Sequence, residues 1–321
     1  MSDSIKTNEF EKGTSLWDDA RQRLLKNKAA MISLWFIVAM LVLCFGYGSV
    51  IEFSDEKIHT TQNLQNRFDE ISKDNWLGTD QLGRDLFARI ITGGQISLLV
   101  GIGASIMTVL IGVTYGAVAG FIGGRTRSIM MRMVDGMMAL PFIILVILLR
   151  EAIKTEIAEL ADFLEFDWHW EHDIVLKIKN LTPLIIAIGA FGWLTMGRIV
   201  DAAAAAASKM EYVQAGRSLG LHSIVIIFKH IIPNILSPII IYSTLTIPSF
   251  ILYEATLSFI GLGIDPPNSS WGTLIKEGAN YIETALSLLV YPSIFFSLTL
   301  LAFNFLGDGL RDALDPKSSK S

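Results

Sequence analysis

Cysteine is almost missing from this chain of 321 residues: Cys44 stands alone, so no intrachain disulfide can form. It lies inside an apolar run and reads as a small buried hydrophobe. Charge is also scarce, at 18% of residues, and the net charge of −5 provides no basic footprint for nucleic acid. No G-x-x-x-x-G-K-[ST] phosphate cradle occurs, so the chain does not hydrolyse ATP in the P-loop manner by itself. A nucleophile elbow, an H-E-x-x-H and a paired C-x-x-C are likewise missing. What remains is 51% hydrophobic with a mean hydropathy of +0.48, and its charges cluster between long apolar runs. That is the composition of an all-α, polytopic membrane protein.

A bilayer core needs about 20 apolar residues per helical crossing. Six runs qualify, at about 29–51, 96–122, 129–149, 183–200, 235–260 and 285–306. Backbone groups in lipid must bond within their own segment, so each is expected to be a helix. The first run follows a mixed charged arm, carries no small-residue cleavage site, and is expected to stay as an anchor. With the N-terminus inside, the cytoplasmic pieces hold 16 of the 26 Lys and Arg, so both termini are expected on the cytoplasmic side. The expected division is a 1–28 arm, a first helix with an outer segment over 29–95, a five-helix domain over 96–308, and a 309–321 tail.

Between the spans, residues 76–95 carry apolar positions at helical spacing (Leu82, Leu86, Phe87, Ile90, Ile91) and predict an amphipathic helix lying on the membrane. Residues 150–175 are acidic and aromatic, with Trp168 and Trp170 suited to the interface. His169 and His172 sit among Asp167, Glu171 and Asp173; a metal site is conceivable there, but a solvated acidic loop is the simpler reading. Two carboxylates fall within predicted spans. Glu254 could line a substrate route or accept hydrogen bonds from neighbouring helices, and Asp135 is expected to pair with Arg132. Pro141, Pro238, Pro248 and Pro292 interrupt the apolar runs and permit kinks.

The stretch after the fourth run is polar and helix-prone. Met210 to Leu219 are helix formers, and Gly220 stands where a C-terminal cap belongs. A second apolar stretch, Ile224 to Ile232, leads to Pro233, which can open the next helix. The expected layout is helix, Gly-marked turn, helix, on the cytoplasmic face.

Here the residues resemble a known family. Gln214-Ala215-Gly216, then Gly220, then Ile232-Pro233 is similar to the "EAA" signature of bacterial ABC-importer permeases. LGTDQLGRDLFARIITGGQISLLVG (77–101), MMRMVDGMMALPFIILVILL (130–149), EYVQAGRSLGLHSIVIIFKHIIPN (211–234) and EATLSFIGLGIDPPNSSWGTLI (254–275) resemble the C-type permease of dipeptide and oligopeptide importers. The resemblance implies a six-helix type I importer permease forming half of a pore with a homologous permease. It implies two cytoplasmic ATP-binding subunits that use ATP and Mg, and an outer solute-binding protein that delivers peptide. Glu211, Tyr212, Ala215, Gly216 and Gly220 would form the ATPase-coupling helix, at about 209–222, and its turn. This chain would bind no cofactor. Gln214 stands where the family carries an acid, and Ala202 to Ala207 stand where it carries a mixed stretch. A nickel or metal-chelate importer is the rival within the class; a gradient-driven transporter or channel, or a membrane-anchored receptor, is the rival outside it.

Overall fold

The computed structural model describes residues 16–52 and 58–315. Parts of the expected arm (1–15) and tail (316–321) lie outside the described residues. Every regular element among those described is helical. Helix α1 (Leu16–Lys26) is amphipathic, and α2 (Lys28–Leu41) starts from Asn27, whose side chain accepts from the Ala30 amide at 3.2 Å. A π-helical turn, Val42–Tyr47, continues it into α3 (Gly48–Glu52). Together they form the first apolar crossing, Lys28–Ile51.

Helix α4 (Leu86–Ile122) is 37 residues long and mostly buried. Its N-cap, Asp85, accepts from the Ala88 amide at 2.6 Å. The expected surface helix over 76–95 is therefore not what forms. Residues 76–85 make a turn region, while Leu86, Ile90 and Ile91 are buried in the opening turns of α4. Their helical spacing is real, but their apolar face meets protein: Leu86 and Ile90 share a cluster with Cys44 and Trp271. Cys44 is fully buried there, as its apolar setting suggested.

The third run also departs from expectation. It divides into α5 (Gly124–Met138) and α6 (Phe142–Phe166), bent by 90° at the break. Pro141 forms the break with φ −62° and ψ 118°; a proline disfavours α conformation in the residue before it and supplies no amide for the preceding turn. The other prolines do not break their helices. Pro248 and Pro292 sit inside α10 (Leu236–Phe259) and α12 (Ser287–Leu314), and Pro238 lies in the first turn of α10.

Helix α7 (His172–Ala207) runs alongside α4 in the same direction, Gly103, Gly112 and Gly120 of α4 meeting Ile185, Met196 and Asp201 in turn. Their contact is set by small residues. A Cβ on Gly116 would stand 2.4 Å from the Gly197 carbonyl oxygen, and one on Gly120 would stand 2.5 Å from that of Asp201 and 2.8 Å from Ala204 Cβ. The alanine run thus has a use: Ala204 is fully buried where the two backbones approach. Among the described residues, five helical segments are long and apolar enough to cross a membrane, or six when α5 and α6 count as one broken span.

Candidate functional site: an exposed helical shelf and an uncharged groove

After α7 the chain makes α8 (Glu211–Ser218), a turn, and α9 (Ser223–Ile226). A π turn (Ile227–Ile231) and a 3-10 turn (Ile232–Ile235), with Pro233 near its start, lead into α10. The helix–Gly–helix layout is present, although its second arm is irregular and runs directly into the span. Gly220 has φ +75°, the left-handed region that favours glycine, and nothing lies within 4 Å of where its Cβ would stand. Its backbone angle, and not crowding, calls for glycine.

The two faces of α8 differ. Val213 is fully buried and packs with Phe121, Ile226 and Ile231 in one apolar cluster. Gly216 also faces inward, where its Cβ would meet Leu221 at 3.4 Å. The smallness of Gly216 therefore serves the shelf's own packing, whereas Ala215 faces solvent. Glu211, Tyr212, Gln214 and Leu219 are exposed, Leu219 at 81%. The departure at Gln214 has a local consequence: its amide Nε2 donates to the Ser208 carbonyl at 2.8 Å, which a carboxylate cannot do. Arg217 is turned back onto α4. Its Nη2 donates to the Phe121 carbonyl at 3.0 Å, and its guanidinium carbon lies 4.4 Å from the Phe121 ring centroid.

Ion pairs tie the elements above this shelf. Arg127 of α5 donates to both Asp201 carboxylate oxygens, at 2.8 and 2.9 Å. Asp135 pairs with Arg198 of α7 and not with Arg132. The two pairs join residues 74 and 63 positions apart in sequence, so their pairing needed the fold.

A groove of about 430 Å³ opens where the α5–α6 break faces α7 and α10. Met137, Met138, Leu140, Phe142, Phe191, Leu245 and Phe250 supply apolar wall, and Thr195, Tyr242, Thr246, Ser249 and Tyr253 supply hydroxyls. None of its lining side chains is charged. Glu254 is not among them. It is fully buried and accepts hydrogen bonds from Ser97 at 2.9 Å and Ser258 at 2.6 Å. Ser97 Oγ in turn accepts from the Trp271 amide at 3.2 Å, so the carboxylate organises the junction of α4, α10 and α11 (Trp271–Ala279).

On the opposite side of the bundle sits a buried charge network that sequence spacing did not reveal. Asp80 accepts from Arg84 Nε at 2.7 Å and from Arg89 at 2.6 Å, and Arg89 donates to Glu277 at 2.7 Å. Gln81 donates to Glu277 at 2.9 Å. Burial would raise the Glu277 carboxyl, but Arg89, Gln81 and Arg84 outweigh it and hold the group below its usual range. For Arg84, burial and then the charge of Arg89 lower the guanidinium from its ordinary value, against the pull of Asp80. The only sequence signal was Arg84, Asp85 and Arg89 recurring in an apolar stretch, which also fits a surface helix. In the acidic outer segment, His172 Nδ1 lies 2.8 Å from Glu165.

Long apolar helices, one broken at a proline, an uncharged groove and an exposed helical shelf give the chain the architecture of a polytopic membrane protein. The comparisons place it further. Residues 112–320 match the family model described as "Binding-protein-dependent transport system inner membrane component", and 15–68 match "N-terminal TM domain of oligopeptide transport permease C". The chain belongs to the binding-protein-dependent transport system inner membrane component family. It is similar to the oligopeptide transport system permease protein OppC of Haemophilus influenzae, with 39% identity over 99% of this chain and 93% of that protein. OppC of Bacillus subtilis is also 39% identical, over 97% of this chain and 92% of that one. A solved structure of the MetNI methionine ABC transporter, in an inward-facing conformation, shares the fold with a TM-score of 0.51. It is 15% identical and covers 76% of this chain and 100% of that one.

Proposed function

We propose that this chain is the C-type permease subunit of an ATP-driven, binding-protein-dependent importer of dipeptides or oligopeptides. It forms half of the translocation pore beside a homologous permease. Two cytoplasmic ATP-binding subunits, with their own ATP and Mg, supply the work, and an outer solute-binding protein delivers the peptide. Both termini and the α8 shelf face the cytoplasm in this reading. The observation that carries it is the near full-length match to permeases named for oligopeptide transport.

The geometry supports the same reading. An eight-residue helix with Tyr212 and Ala215 outward, and Leu219 exposed at its C-cap, is a compact apolar knob for a groove on a partner. Glu211 and Gly220 bound it at either end, the first in its opening turn and the second at its left-handed exit. When the ATPases close, this knob moves and the attached spans rock to alternate access. The uncharged groove suits a cargo whose side chains vary, because no fixed charge on this wall selects among them. Glu254 would act beside that route by holding its walls together.

Affinity purification of the chain from its native membrane, followed by ligand analysis of the associated binding protein, tests the proposal. Recovery of a P-loop ATPase, a second permease and a binding protein loaded with peptide is expected. A binding protein loaded with a nickel chelate would move the chain to the rival importer class. Recovery of a homo-oligomer that takes up solute on an ion gradient would overturn the importer reading.

A further inference from the structure

We infer that Arg217 is the positioning residue through which the shelf helix moves α4, an inference that rests on reading α8 as the ATPase-docking helix. Arg217 lies one helical turn after Val213 and is itself exposed, at the edge of the buried face of α8. Val213 enters the apolar cluster that contains Phe121, and Arg217 closes over that same Phe121 from outside. Phe121 sits in the last turn of α4, where carbonyls have no partner within the helix. Its carbonyl accepts from Arg217 at 3.0 Å, so a cation meets the negative end of the helix dipole. The planar guanidinium both stacks on the ring and donates to the carbonyl, which fixes direction as well as distance.

What lies beyond this contact makes it a transmission point. The chain leaves α4 through two left-handed glycines, Gly123 at φ +71° and Gly124 at φ +58°, so the helix end is joined to α5 by a glycine hinge. Along its length α4 is packed against α7, at Gly103, Gly112, Gly116 and Gly120. At the far end Arg89 is held by Asp80 and Glu277. A displacement of α8 therefore reaches α4 through Arg217 and Val213, and α4 carries it as a rigid rod to the opposite face. Arg217 remains exposed, but its guanidinium is directed at the Phe121 ring and carbonyl.

The test uses the complete importer, with both permeases, the ATPases and the binding protein, in proteoliposomes. Arg217→Ala, Arg217→Lys and Phe121→Leu are compared for ATP hydrolysis, peptide uptake and retention of ATPase on the purified permease. Retention and hydrolysis are expected to stay near wild type. Uptake per ATP is expected to fall about fivefold or more for Arg217→Ala and Phe121→Leu, with Arg217→Lys in between, since lysine keeps the carbonyl bond but not the stacking. Unchanged uptake per ATP in both of the first two variants would overturn the inference. So would loss of ATPase retention in Arg217→Ala alone, which would make the side chain a docking contact. Should Arg217→Ala not assemble, the ratio measured for Phe121→Leu decides. A wild-type chain that retains no ATPase would remove the α8 reading itself, a result separable from either of these.

Discussion

At the scale of single residues, Gly220 carries the sharpest constraint on the shelf. Its φ of +75° is permitted to glycine and, with modest penalty, to asparagine, while the space around it is open. Gly220→Val should cost about 1–2 kcal/mol locally and tilt α8 away from its partner, lowering uptake while ATP hydrolysis continues. Gly220→Asn should stay near wild type. Equal loss in both variants, measured in proteoliposomes, would mean that space and not backbone conformation limits this position. Glu277 gives a pH prediction. Its folded-state carboxyl lies below the ordinary value, so its contribution is present above the unfolded value of about 4.3 and is lost as pH falls through the folded one. Thermal melting in detergent should therefore decline on the acid side less steeply in Glu277→Gln than in wild type, and parallel curves would refute the pairing. The need for glycine at 220 was readable from its place after a run of helix formers. The Glu277 network was not, because its members Asp80, Arg84 and Arg89 lie far from it in sequence and meet through the packing of α11 on α4.

At the scale of elements, the α4–α7 contact holds the bundle together. Gly120 and Ala204 bring the two backbones close enough that any larger side chain meets a carbonyl or a methyl within 3 Å. Gly120→Leu should cost at least about 1–3 kcal/mol through overpacking, seen as a lower melting temperature and loss of a monodisperse peak in detergent. A stable Gly120→Leu variant would show that the helices can separate freely. Trp271 is the counterpart on α11: fully buried, donating from Nε1 to the Ile90 carbonyl at 3.0 Å. Trp271→Ala should cost about 3–5 kcal/mol, read as a comparable fall in thermal stability. The spans themselves were legible because apolar run length reports them directly. Where one run contained two helices, as at Pro141, and where the apolar spacing of 76–95 fitted either lipid or protein, composition could not choose. The choice belongs to tertiary contacts such as Cys44 and Trp271 against Gly94. The alanine run looked featureless for the same reason: its value lies in what α4 places opposite it.

At the scale of the whole molecule, the chain joins two surfaces through one long helix. The shelf at Glu211–Ser218 lies at one end of α4, and the buried Asp80–Arg89–Glu277 network lies at the other. Between them lies an uncharged groove of about 430 Å³. On the proposed reading, such a design would couple work done on one side to access on the other without a fixed charge in the groove. The most direct measurement is uptake of a labelled peptide by proteoliposomes holding this chain with its second permease, ATPases and binding protein. Uptake that requires ATP and the binding protein and survives collapse of all ion gradients by ionophores is the expected result. Uptake that proceeds without ATP and disappears when the gradients are collapsed would contradict it.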